Sequence, residues 1–496
     1  MNYINKLDLW LSNNTVYDFF KNYRFILLIS VIIGILVNAV DIFTVKFGMD
    51  SEIYASNSAI YYTQQRYGSD LLYYLFPFAR YHIVSQLTGM ICIALSAMLT
   101  ISRHNISNFA KGIFVVLVTA SPYFSLLQYF YFQSAYNFIY LLTTVIVFRI
   151  LENNKNIFIY IIGILLLALS LSSYQSLFAV YLSVMMINVI LDFINNKNIK
   201  AALITILKNS LVLIAAVIIY FIVIKIVSTN INSYHAGYIQ YLTKDFLDVI
   251  KFVIKYIIQV MFGRNFNSFF TANVLVTILL LIMMIYLPLK ILKERKERIF
   301  IVVLFIFFIL SVFSINILFG SELPARTNLS YAFYSAFPVM LFFMYCKRNS
   351  LKLLTYLIVF SIIVFQAGNV AKFQTAQLIT YNKDKMTAED LLNRIYKAYP
   401  EIYDAKYKIA FTGKIDNPNR HRLAMGYDIY NCSFFNCDNG NPDRYMKILQ
   451  LLGMPTNVQR ENVNDSMKPF IDKMPMWPDE KCIQLYDNNT VIVKLR

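Results

Sequence analysis

Apolar runs long enough to cross a lipid bilayer alternate with short polar segments along most of the chain. A spanning helix needs about 17 to 25 mainly apolar residues, and about eleven runs approach or reach that length. They lie near residues 25–43, 81–101, 112–132, 134–151, 157–172, 174–194, 201–228, 272–292, 299–319, 329–346 and 351–370. The fifth and sixth runs nearly touch, but together they are too long for one tilted helix. The pattern therefore predicts a polytopic α-helical membrane protein with about eleven transmembrane helices.

Basic residues indicate how these predicted helices are oriented. Lys and Arg resist translocation and collect on the cytoplasmic side of membrane proteins. Clusters of them follow every second apolar run: Arg103 with Lys111, Arg149 with Lys155, Lys197 with Lys200, Lys290–Arg298, and Lys347 with Arg348. The N-terminus is therefore predicted to be cytoplasmic and the C-terminal region to lie outside. Two long loops, near residues 44–80 and 229–271, are predicted to face outward.

Both long outward loops are predicted to contain helices that lie along the membrane interface. The first includes "SEIYASNSAIYYTQQRYGSDLLYYLF", which is aromatic and polar at helical spacing. The second includes "FLDVIKFVIKYIIQVMFG", which is apolar and has Lys251 and Lys255 on a polar face. Two such loops on one side indicate that the outer face is the working face.

The composition changes to that of a soluble domain after about Tyr381. "TAEDLLNRIYKAYPEI" and "DRYMKILQLLGM" have helical spacing, "KYKIAFTGKI" alternates as a strand does, and "CIQLYDNNTVIVKLR" indicates two strands around an Asn-Asn turn. The sequence thus predicts a transmembrane domain over residues 1–380 and a small α/β extracytoplasmic domain over residues 381–496. Cys432 and Cys437 are predicted to be able to form a disulfide there, with Cys482 as an alternative partner, because an outward domain meets an oxidising compartment.

Composition and missing motifs exclude several classes of protein. Hydrophobic residues make up 58% of the 496 residues and charged residues 15%, against roughly 25% charged in soluble domains. The formal net charge of +17 comes from clusters between apolar runs, so it favours membrane orientation over nucleic-acid binding. Phosphate-binding loops, dinucleotide-binding glycine patterns, HExxH and CxxC are missing from the sequence, and its four histidines are scattered. No metal site and no nucleotide-driven reaction are predicted.

Three carboxylates gather where the first apolar run ends. Asp41 lies at the end of the run, and Asp50 and Glu52 follow in the outward loop. Solvated loop charges are one interpretation. A charge close to hydrocarbon costs on the order of 2.5 kcal/mol unless it is used or paired, so the alternative is a catalytic general base. We predict Asp50 as first choice, Glu52 as second and Asp41 as third.

Arginines and hydroxyl groups form a second set of candidates on the predicted outer face. Arginine offers a planar fork that binds phosphate through two parallel hydrogen bonds. The candidates for binding a phosphate are Arg66, Arg80, Arg264 and Arg326, and the alternative for each is anchoring to lipid headgroups. Glu322 shares a short loop with Arg326 and is predicted to bind sugar or to pair with that arginine. Tyr174 and Gln175, at the turn between the fifth and sixth runs, are predicted either to bind sugar or to cap helix ends.

The order of these segments along the chain resembles that in the bacterial serotype-converting O-antigen glucosyltransferases. These proteins belong to the GT-C class of polytopic membrane glycosyltransferases. The resemblance rests on five segments. They are "GMDSE" in the first outward loop, "QQRYGSDLLYYLF" after it, "SSYQS" at the turn between the fifth and sixth runs, "LPAR" before the tenth run, and the C-terminal region with "AFTG". Related members often have an Asp-Asp pair where this chain has Asp50-Ser51-Glu52. The identity of the catalytic acid is therefore left open.

The resemblance implies an inverting transfer of glucose from undecaprenyl-phosphate glucose to O-antigen of lipopolysaccharide, which converts the serotype. The implied partners are a polyprenyl-phosphate sugar, a glycan acceptor and the bilayer. The implied location is the bacterial inner membrane, with the chemistry on its outer face. No cofactor is predicted, and the sequence leaves the need for a divalent metal open.

Other polytopic proteins fit the sequence less well. A lipid-linked oligosaccharide flippase or another transporter would place charges along a path within its spans, whereas the charges here gather at the outer face. An O-antigen polymerase and a membrane acyltransferase are further alternatives. The predicted outer C-terminal domain disfavours both.

Overall fold

The computed structural model describes residues 15–48, 66–77, 81–227, 239–263, 272–415 and 433–496. These residues fold as two compact units. The first takes the described residues within Met1–Ile42 and Tyr61–Val370, and the second takes those within Phe43–Ile60 and Ala371–Arg496. Asp50, Glu52, Arg80, Arg264 and Cys432 lie outside the described residues.

The first unit is built of α-helices. In chain order they are α1 (Thr15–Val37), α2 (Ala39–Phe43), α3 (Tyr67–Leu75), α4 (His82–Ile101), α5 (Asn108–Thr119), α6 (Pro122–Gln128), α7 (Tyr131–Asn153), α8 (Ile157–Ser173), α9 (Leu177–Asn196), α10 (Ile199–Val227), α11 (Phe246–Met261), α12 (Ala272–Lys290), α13 (Arg295–Val312), α14 (Ser314–Phe319), α15 (Tyr331–Tyr345) and α16 (Asn349–Ala398). Single 3-10 turns lie at Gln240–Leu242 and Ala325–Thr327. The boundary between the two units falls within α16.

Every predicted apolar run coincides with one or two of these helices. Of the described helices, seven are long and apolar enough to cross a membrane, or eight if α5 and α6, which are bent by 41°, form one span. Helices α8 and α15 are apolar but shorter, and α13 begins with the charged sequence Arg295–Arg298. The structure is therefore that of a polytopic membrane protein. The predicted total of about eleven spans is not confirmed by these helices and stays a prediction. The fifth and sixth runs are separate helices, α8 and α9, as predicted.

Helix packing in the first unit includes close contacts between aromatic rings. Helix α4 packs on α7, α7 on α8, α5 on α15, and α9 on α13. Tyr331 is buried between the rings of Tyr123 and Phe313, with centroid distances of 5.0 and 4.8 Å. Such offset and edge-on contacts add to the energy of burial, because ring edges and faces carry opposite partial charges.

The second unit contains a three-stranded sheet. Its strands are β1 (Lys408–Thr412), β2 (Ile483–Leu485) and β3 (Thr490–Lys494), in the order β1-β3-β2. β3 pairs parallel with β1 and antiparallel with β2. Helices α17 (Cys437–Gly440), α18 (Pro442–Leu451) and α19 (Lys468–Lys473) and 3-10 turns at Pro400–Asp404 and Glu480–Cys482 complete it. The three strands and α18 were predicted, and the structure confirms them.

One predicted helix boundary is wrong. "TAEDLLNRIYKAYPEI" was expected to begin a separate helix at Thr387, after a span ending near residue 370. In the structure α16 continues through both segments as one helix of 50 residues. The reason is local: proline is missing from Asn349–Ala398, and a single glycine such as Gly368 costs a helix only about 1 kcal/mol. The role of the C-terminal region as an extracytoplasmic domain stays a prediction.

Candidate active site

The short helix α3 presents the candidate site, and a glycine fixes its position. A Cβ atom on Gly68 would lie 2.5 Å from the carbonyl oxygen of Leu169 and 2.5 Å from Oγ of Ser172. Only glycine therefore lets α3 pack this closely on α8. The Tyr140 hydroxyl donates to the Gly68 carbonyl at 3.0 Å, which ties α3 to α7 as well.

Buried hydroxyl groups extend this attachment. Ser69 Oγ lies 2.9 Å from Ser173 Oγ, and Ser173 donates to Oδ1 of Asn137 at 2.7 Å. All three side chains are fully buried. Hydrogen bonds between buried polar groups are costly to break, because the groups left behind cannot turn to water. Helix α3 is thus held rigidly against α7 and α8.

Arg66, which precedes α3, meets Tyr174 and Arg326 at this place. The Arg66 guanidinium donates to Oε1 of Gln133 at 2.6 Å and lies 5.4 Å from the centroid of the Tyr174 ring. The Tyr174 hydroxyl donates to the backbone carbonyl of Arg326 at 3.1 Å. The Arg326 guanidinium lies 5.1 Å from the centre of the Phe130 ring. Three residues singled out from the sequence are therefore brought together, although they are far apart along the chain.

Stacking on aromatic rings affects what these two arginines can do. A guanidinium on a ring face is held in one orientation by the negative face of the ring, while its N–H groups in the plane can still donate. Arg66 and Arg326 are both half-buried. This arrangement suits recognition of a phosphate or a carboxylate.

The turn between α8 and α9 has one of the two uses that were predicted for it from the sequence, which is capping. The Tyr174 backbone N–H donates to the Ser170 carbonyl and ends α8, so the capping interpretation holds for the main chain. Its side chain contacts the two arginines. The Gln175 amide donates to the Tyr220 hydroxyl at 2.8 Å, and the Tyr220 ring stacks on Tyr67. Sugar binding by this turn stays a prediction.

Asp70 is a residue of this site that the sequence analysis missed. It lies one helical turn after Arg66, is only 5% exposed, and its Oδ2 atom makes no hydrogen bond with any residue that the structure describes. Burial raises the pKa of Asp70 to about 7, because the charged form is poorly solvated there. The available signal was the spacing of Arg66 and Asp70 in "RYGSD", which places them on one face of a helix.

The remaining candidates are spread over the structure. Asp41 lies in α2 and is 2% exposed, so it is not the solvated loop charge of the simpler interpretation. Glu322 is half-buried, four residues before Arg326. In the second unit Cys437 is buried, and its predicted pairing depends on Cys432, so the disulfide stays a prediction. Cys482 is buried and forms no disulfide with another cysteine that the structure describes. Among the described residues, His, Cys, Asp and Glu side chains form no group of three that could hold a metal ion.

Comparison with models of known protein families gives a match. Residues 42–345, more than half of the chain, match the profile of a family described as glucosyl transferase GtrII. The matched range includes Arg66, Asp70, Tyr174 and Arg326. Neither a curated protein nor a solved structure matches the chain.

Proposed function

The chain belongs to the glucosyl transferase GtrII family, and from this we propose that it transfers glucose from undecaprenyl-phosphate glucose to O-antigen or a related surface glycan. The reaction takes place at the outer face of the bacterial inner membrane. Membership of a family of glucosyl transferases supports glucose as the transferred group. The apolar helices indicate a membrane protein, which supports a donor that is carried by a lipid. Donor, acceptor and side of the membrane are the parts that we propose.

The observation that carries this proposal is the convergence of Arg66 and Arg326 on Tyr174. The group that leaves in the reaction is a lipid phosphate, and two arginine side chains can hold its oxygens by charge-assisted hydrogen bonds. The charge that develops on the phosphate as the glycosidic bond breaks is stabilised most where donors are already oriented. The stacking contacts with Tyr174 and Phe130 provide that orientation before the donor arrives.

The proposed step is a single displacement at the anomeric carbon. An acceptor hydroxyl oxygen attacks this carbon, the bond from carbon to the phosphate oxygen breaks, and its electron pair leaves with the phosphate. The hydroxyl proton passes to a carboxylate, and the configuration of the sugar inverts. Asp50, Glu52 and Asp41 are the proposed bases, in that order. Replacing the true base by its amide typically costs about 10² to 10⁴ in rate.

Membranes that contain the protein provide the test. Given radiolabelled undecaprenyl-phosphate glucose and O-antigen, they should transfer label to the glycan. The double variant Arg66→Ala/Arg326→Ala should transfer about 10²-fold more slowly, because charge-assisted hydrogen bonds to the donor are lost. The matched control Arg348→Ala changes an exposed arginine that follows α15 and should keep the full rate.

Two results would contradict the proposal. One is transfer from a nucleotide sugar with the lipid-linked donor inactive. The other is an unchanged rate in the double variant at equal expression. The variants Asp50→Asn and Glu52→Gln are tested in the same assay, and the one that loses transfer identifies the base. If both variants transfer glucose at the normal rate, Asp50 and Glu52 are solvated loop charges.

A further inference from the structure

Helix α11 has apolar side chains on both of its faces and a narrow polar stripe between them. Val249, Val253, Tyr256, Ile257 and Val260 are buried against the rest of the first unit. The opposite face is exposed and is also largely apolar: it includes Phe246, Leu247, Phe252, Ile254, Ile258 and Phe262. Such a face is stable when a bilayer covers it, and it is costly in water.

The polar stripe faces the same way as the exposed apolar residues. Lys251 and Lys255 are one turn apart and both exposed, and Gln259 follows one turn later, half-buried. Together with Ile254, Ile258 and Phe262 they line an open cleft of about 720 Å³. Two cations and an amide donor along one side of an apolar cleft match a ligand with an anionic head and a hydrocarbon chain.

The charges of the stripe favour a head with a single negative charge. Asp248 Oδ1 lies 3.5 Å from Lys251 Nζ, so one carboxylate partly offsets two ammonium groups. This pair is exposed and therefore weak, and it leaves about one positive charge near Lys255. A phosphodiester has one negative charge and matches this balance. A zwitterionic lipid would bring its own ammonium group close to the lysines.

We propose that this cleft binds an anionic glycerophospholipid of the surrounding bilayer. The lipid phosphate lies between Lys251 and Lys255, Gln259 donates a hydrogen bond to the head, and an acyl chain runs along Ile254, Ile258 and Phe262. The proposal requires that the chain is in a membrane and is independent of the transfer reaction. The residues that line the cleft do not include Arg66 or Arg326.

The experiment measures which lipids the purified protein retains. The full chain is extracted in mild detergent from membranes of equal phosphatidylglycerol and phosphatidylcholine content, and bound lipid is identified by native mass spectrometry. We expect phosphatidylglycerol to be enriched on the protein. In Lys251→Gln/Lys255→Gln the enrichment should fall about tenfold or more, since each lysine attracts anionic lipid. Lys244→Gln, an exposed lysine before α11 that does not line the cleft, should leave it unchanged.

Three outcomes would overturn the proposal. The first is equal retention of both lipids by the unaltered protein. The second is equal loss of enrichment in Lys244→Gln, which shows general attraction by surface charge. The third is displacement of phosphatidylglycerol by one equivalent of undecaprenyl-phosphate glucose, which shows that the cleft is a donor site. The thermal transition of each variant is measured, and Ile254→Gln/Ile258→Gln, which keeps both lysines, replaces the lysine variant if that variant fails to fold.

Discussion

Arginines occur in two very different settings within the first unit. At the candidate site Arg66 contacts an amide and the face of Tyr174, and Arg326 lies over Phe130. At a second place, where α4, α7 and α9 meet, Arg103 and Arg149 both bind the carboxylate of Glu152. We call this second group of side chains, which also includes His104, Asn188 and Asp192, the ion network.

The ion network is neutral as a set and closely bonded. Arg103 contacts Asp192 as well as Glu152, Arg149 lies 2.6 Å from Glu152, and His104 lies 2.8 Å from Oδ1 of Asn188. Burial lowers the pKa of His104 to about 4, so this side chain is neutral at physiological pH. Two arginines matched by two carboxylates hold helices together and leave little charge for a ligand. At the candidate site Arg66 and Arg326 lie over aromatic rings instead, and we propose a binding role for these two arginines.

The sharpest test of this comparison is the side of the membrane on which each region lies. The basic clusters predict the ion network on the cytoplasmic side and the candidate site outside. Alkaline phosphatase fused after Tyr381 should be active, and fused after Lys293 it should be inactive. The opposite pattern would place the candidate site in the cytoplasm and remove the basis for an extracytoplasmic acceptor.

Removing the shared carboxylate should have the next largest effect. Glu152→Ala leaves two half-buried arginines without their common partner, and the loss of hydrogen bonds to a charged group costs about 1.5 to 3 kcal/mol each. We expect a large drop in the thermal transition and in yield. Arg66→Ala, measured beside it, should fold nearly as well as the unaltered protein. Equal destabilisation by both changes would contradict the division into structural and binding arginines.

The raised pKa of Asp70 should make the stability of the folded protein depend on pH. Its pKa is raised in the folded protein, so between about pH 4 and pH 7 the folded state keeps a proton that the unfolded state has lost. Stability therefore falls as pH rises through this range. Asp70→Asn removes the group, and its thermal transition should fall less steeply over the same range. Parallel pH profiles for the two proteins would show that Asp70 ionises normally.

Tyr174→Phe should have the smallest effect. It removes the hydroxyl that donates to Arg326 but keeps the ring beneath Arg66, and a neutral hydrogen bond contributes about 1 kcal/mol. We expect KM for the lipid-linked donor to rise about fivefold with little change in kcat. Tyr396→Phe, in the second unit, serves as the control. A loss of kcat with unchanged KM would mean that the hydroxyl acts in the chemical step and not in binding.

The sequence predicted the helices and strands better than it predicted the site. Long apolar runs and alternating strands report burial directly, so α8, α9, β1 and β3 follow from the pattern. Convergence of Arg66 and Arg326 depends on how α3 packs on α7 and α8, which residue spacing does not specify. Asp70 was missed because a carboxylate in a short polar segment looks solvated until the packing of its neighbours is known. Asp50 and Glu52 lie outside the described residues, so their role stays a proposal.

The close approach at Gly68 limits how this enzyme can diverge. Any larger residue there would push α3 off α8 and shift Arg66 away from Tyr174. Relatives with a different donor sugar are therefore expected to keep this glycine and to vary side chains that surround the sugar. The arginine that we propose to hold the phosphate would stay in place, while selectivity for the transferred hexose evolves around it.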